Sequence, residues 1–63
     1  MNSAALAYAD GQKAVIDQLD QIGELLSRHE RQQRQNPTSW GDVGDMEFVS
    51  ARLAEIIQFL GGE

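Results

Sequence analysis

An all-α fold, a two-helix antiparallel hairpin that dimerises into a four-helix bundle, is the architecture this sequence predicts, and three observations predict it. Apolar residues recur at steps of three and four through two long segments. A stretch opening with Asn36-Pro37 and carrying two glycines separates those segments. The second segment also carries more apolar surface than one neighbouring helix can cover.

In the first segment the apolar positions run Tyr8, Val15, Leu19, Ile22 and Leu26, and His29 continues the seam. At about 100° per residue these fall in a narrow arc, while Asp10, Lys13, Asp17, Asp20, Glu24, Arg28 and Arg31 face the other way. Ser3 is placed to cap this helix. Asn36-Pro37 is placed to close it, because proline disfavours α geometry at the preceding residue and has no N–H to donate. Helix 1 is therefore expected over residues 3–35. Asp10-Gly11 leaves open a break there, with Asp10 capping a second segment. Leu6 bears on that choice, since in a continuous helix it lies opposite the Val15 to Leu26 seam.

A loop is expected over 36–44, longer than most helix connections, with Gly41 and Gly44 in turns of positive φ. Trp40 and Val43 are expected to fold back over the end of helix 1, because Ser27 to Gln35 offers no large apolar residue there. The alternative is Trp40 as an exposed anchor for a partner. Helix 2 is expected over 45–60, with Asp45 as N-cap, Glu47 favoured by the helix dipole and Gly61-Gly62 as the left-handed exit. Its Met46, Val49, Leu53, Ile56 and Leu60 match the spacing of the helix 1 seam, with Ile57 beside them.

Helix 2 also bears a second stripe. Phe48 and Phe59 lie three turns apart and roughly 120° around the helix from Leu53, with Arg52 between them. Packing on helix 1 alone would leave both rings in water. A second copy related by a two-fold axis would bury them, so Phe48, Arg52, Ile56 and Phe59 are the expected dimer interface. The two other covers considered are a different protein and the Ala4 to Tyr8 segment of the same chain. Gly11 and Gly23 suit close helix approach, or stand as a tolerated cost of about 1 kcal/mol each.

Size points the same way. The chain has 63 residues, 19 of them large and apolar, and no cysteine. Domains this short bury only about 60% of the surface their unfolded chains expose, and commonly depend on a disulfide, a metal or another subunit. No disulfide is possible here.

Charge and composition exclude several classes. The net charge is −5, which disfavours non-specific attraction to nucleic acid or to an anionic membrane. The longest apolar run, Ala4 to Ala9, is far shorter than a bilayer requires, and Met1-Asn2-Ser3 lacks a basic region, so a cytoplasmic protein with no membrane association is expected.

No constellation for catalysis is present: no glycine-rich phosphate loop, no nucleophile elbow and a single histidine. Gly41-Asp42-Val43-Gly44 is too short and too acidic to cradle phosphate. Asp17, Asp20 and Glu24 form a carboxylate row with the spacing of a hard-cation site, yet on the polar face of helix 1, where a solvated acidic surface explains them. His29 reads as a structural neighbour of Trp40 before it reads as a switch or a metal ligand. No cofactor or metal is expected.

Arg28, Arg31 and Arg34 interrupt the acidity. Residues 1–27 carry −3, 28–35 carry +2 and 36–63 carry −4. With Gln32, Gln33 and Gln35 this tip could bind phosphate or carboxylate groups. Arginines near a helix C-terminus also complement the dipole and form ordinary i, i+4 pairs. In length and hairpin plan the chain resembles the plasmid copy-number regulators, helical hairpins that dimerise and bind paired RNA loops; the resemblance is architectural and carries no motif. The functional expectation is a small non-catalytic interaction, adaptor or regulatory protein whose partners are itself and another protein. The alternative is an RNA-binding regulator using the three arginines.

Overall fold

The computed structural model describes residues 3–62 of the 63-residue chain. Among the described residues there are two α-helices, α1 (Ser3–Gln35) and α2 (Trp40–Phe59), and no strand. The chain divides into two compact units, Met1–Arg31 and Gln32–Glu63. The first is helix throughout its described length. The second takes the last turn of α1, a connecting turn and α2. None of the described residues is buried.

α1 is continuous from Ser3, across Asp10-Gly11, to Gln35. Alanines at 4, 5, 7, 9 and 14 supply high helix propensity around Gly11, and one interior glycine costs about 1 kcal/mol, too little to end such a run. Gly23 is crossed in the same way, its carbonyl accepting a hydrogen bond from Ser27 Oγ at 3.2 Å. The helix stops where proline requires. The N–H of Asn36 donates to the Gln33 carbonyl at 3.0 Å, tightening the last turn, and Pro37 follows. Arg34 lies in that turn, where a cation complements the dipole.

The connection is shorter than the sequence suggests. Asn36-Pro37-Thr38-Ser39 is a single turn: the Asn36 carbonyl accepts from the N–H of Ser39 at 3.1 Å, and proline holds the second position with its preset φ. The Thr38 hydroxyl donates to Asn36 Oδ1 at 3.4 Å. α2 then begins at Trp40, not at Asp45, because Ser39 is the N-cap. Its backbone is extended (φ −75°, ψ 109°), and its Oγ accepts from the N–H of Asp42 at 3.3 Å. Asp42 adds a carboxylate to the first turn. Gly41 and Gly44, expected in turns of positive φ, are helical residues. Only Gly61 among the described residues has positive φ, at 97°.

α2 ends at Phe59, one residue before the expected end at Leu60, and leaves through the expected left-handed glycine. Leu60 is the C-cap, the N–H of Gly61 donates to the Gln58 carbonyl at 3.1 Å, and that of Gly62 donates to the Ile57 carbonyl at 2.9 Å. This paired arrangement satisfies two terminal carbonyls through a left-handed glycine. Gly62 is constrained by space as well, since a Cβ there would come within 2.5 Å of Ile57 Cγ2 and 3.0 Å of Ile57 O. No helix among the described residues is long and apolar enough to cross a membrane.

The two ends of α2 give two expectations, both read by urea unfolding followed by circular dichroism at fixed chain concentration. Ser39→Ala removes the cap and lowers stability by about 1 kcal/mol, whereas Ser39→Asp preserves it. Gly61→Ala forces a Cβ into the left-handed region and destabilises by about 1 kcal/mol, and Gly61→Asn loses less.

Candidate functional site

The candidate site is the face of α2 that carries the two phenylalanines. Phe48, Arg52, Glu55 and Phe59 follow one another at steps of four, three and four, so they form one row along the helix. Both rings are open to water, Phe48 at 65% and Phe59 at 87% exposure. The Arg52 guanidinium lies over the Phe48 ring, its carbon 5.3 Å from the ring centroid. The same guanidinium reaches the other way, Nη1 sitting 3.3 Å from Glu55 Oε2. The row thus has an aromatic ring at each end and an ion pair in the middle. Both charged side chains are more than half exposed, so within one chain the pair contributes at most about 1 kcal/mol.

Phe48, Arg52 and Phe59 are legible as a group in the sequence. Glu55 joins them only in the structure, although its place three residues after Arg52 is the ordinary signal for a helical ion pair. Ile56 sits about 60–80° around the helix from the two rings, between this row and the Val49, Leu53 and Leu60 stripe, and is 52% exposed. The second stripe is only partly covered too: Val49 and Leu53 are intermediate, while Met46, Ile57 and Leu60 are exposed.

Trp40 does not fold over the end of helix 1. It is the first residue of α2, held in helical backbone directly after the Ser39 cap, and is 83% exposed. Together with Pro37, Thr38, Ser39 and Val43 it lines a shallow depression beside the connecting turn. Val43, one turn on, is likewise exposed. The signal for Ser39 as the cap is its spacing to Asp42, a hydroxyl followed three residues later by an acid.

The other candidates lie on α1. Arg28, Arg31 and Arg34 are all exposed, at steps of three toward its C-terminal end. Asp17, Asp20 and Glu24 are exposed on the earlier turns, as a solvated acidic face would be. His29 and Gln33 are intermediate.

No family model, curated protein or solved structure matches this chain.

Exposure at Trp40 has a direct optical consequence. In the isolated protein its fluorescence should match free indole in water and be fully open to acrylamide quenching. A blue-shifted, quencher-resistant emission would show that something covers the ring.

Proposed function

We propose that the protein is a small, non-catalytic interaction or regulatory protein that works as a homodimer, two antiparallel helical hairpins closed into a four-helix bundle through Phe48, Arg52, Ile56 and Phe59. The observation that carries this reading is the exposure of both rings, 65% and 87%, on a helix whose other side is also apolar. Leaving two phenylalanines in water forfeits roughly 3–6 kcal/mol of burial, a large share of what a domain of this size has. A neighbour on one side of α2 leaves the other side open, so the helix needs two.

A second protein would meet the dimer elsewhere. Trp40 offers a large amphipathic side chain beside a shallow depression, the kind of anchor on which protein interfaces concentrate their energy. The net charge of −5 supports a protein partner over a polyanion. Arg28, Arg31 and Arg34 are the features on which the competing reading, recognition of RNA, would rest.

Sedimentation equilibrium tests the dimer. The wild-type chain should sediment as a dimer at tens of micromolar, and Phe59→Asp should raise the dissociation constant at least about tenfold, about 1.4 kcal/mol. A folded wild-type monomer at that concentration rejects the reading. A salt-sensitive RNA shift that disappears when Arg28, Arg31 and Arg34 are all changed to Gln would replace it with the nucleic-acid role.

A further inference from the structure

The Phe48 to Phe59 row reads the same in both directions along α2. Its order is ring, cation, anion, ring, and the spacings of four, three and four are symmetric about a point midway between Leu53 and Ala54. We infer that two copies of α2 pack antiparallel across a two-fold axis at that point, each Phe48 against the partner's Phe59 and each Arg52 against the partner's Glu55. This rests on the homodimer proposed above and adds its orientation and register.

Charge selects the orientation. In the antiparallel pairing the two Arg52 and two Glu55 side chains alternate in sign around the axis, so the 3.3 Å pair within one chain becomes half of a four-membered ring of charges. A parallel pairing of the same faces would set Arg52 beside Arg52 and Glu55 beside Glu55, and like charges across an interface oppose association. Parallel alignment also places like ends of the helix dipoles together, whereas antiparallel alignment opposes them. The guanidinium over the Phe48 ring, 5.3 Å from its centroid, is then part of the same contact as the partner's Phe59.

The absence of cysteine makes the register measurable. Phe48→Cys and Phe59→Cys chains are mixed in a glutathione redox buffer, and the disulfide-linked products are separated by mass. In the antiparallel register the mixed dimer links position 48 of one chain to position 59 of the other and keeps the second ring pair whole. The 48–48 and 59–59 products would have to span an axial offset of about 16 Å, beyond the reach of a disulfide. The mixed disulfide should exceed each of the others at least about tenfold.

A predominance of the two symmetric disulfides overturns the orientation while leaving the homodimer standing. So does a statistical mixture, or no cross-link, from chains whose wild-type parent sediments as a dimer. A monomeric wild type overturns both. Circular dichroism of the reduced chains checks that each variant is helical. Independently, Arg52→Glu should weaken the dimer at least about tenfold, and adding Glu55→Arg in the same chain should restore it. Failure of that rescue in chains of wild-type helicity also overturns the charge pairing.

Discussion

The apolar girth of α2 is the constraint on which the proposed assembly rests. A helix that packs against a single neighbour needs an apolar arc of about 100° or a little more. Here one stripe runs through Met46, Val49, Leu53 and Leu60, a second through Phe48 and Phe59, and Ile56 fills the gap between them. Two neighbours are needed to cover that span. In the proposed assembly a second copy of the chain supplies the neighbour that faces Phe48 and Phe59. The described residues hold no third helix that could cover them.

What the chain controls by itself is where each helix stops. The Asn36-Pro37-Thr38-Ser39 turn ends α1 and, within the same four residues, provides the hydroxyl that starts α2. The Gly61-Gly62 exit closes α2 with two backbone hydrogen bonds. These devices act over a few residues and need no packed interior, so they set helix lengths within the single chain. For the proposed dimer, this defines the positions of Phe48 and Phe59 along α2 relative to fixed ends.

Helix content and the boundaries of α1 are legible in the sequence because their signals are strong and local. Proline at 37 dictates the end at Gln35, and an alanine-rich start outweighs Gly11. The start of α2 is not legible in the same way, for a physical reason. Gly41 and Gly44 are usual turn residues, and Asp45 is a good cap, but Ser39 is a competent cap six residues earlier and the turn before it already has its own hydrogen bond. Once the cap acts, two interior glycines cost about 2 kcal/mol in total, less than the dipole, cap and helical hydrogen bonds return together. The placement of Trp40 depends on that boundary. A loop residue has the backbone freedom to fold back over a helix end, whereas Trp40 is fixed in the first turn of α2 and is exposed. At the candidate site the rings and Arg52 are legible by spacing, and Glu55 becomes visible only through its 3.3 Å contact with Arg52.

The chemistry of the phenylalanine row divides affinity from orientation. Burying rings is non-directional and returns nearly the same free energy whichever way two helices lie. Transferring an exposed ion pair into an interface returns little net energy, because desolvation offsets the Coulomb attraction. The penalty is asymmetric, however: opposite charges facing one another come close to breaking even, whereas like charges brought together out of water are strongly unfavourable. A central Arg52 and Glu55 flanked by rings therefore adds little to the strength of a dimer and a great deal to its direction. Replacing both by leucine would be expected to tighten self-association while allowing parallel and antiparallel pairings alike. In the proposed dimer the two charged residues would discriminate between pairings of nearly equal apolar burial, a task that Phe48 and Phe59 cannot perform.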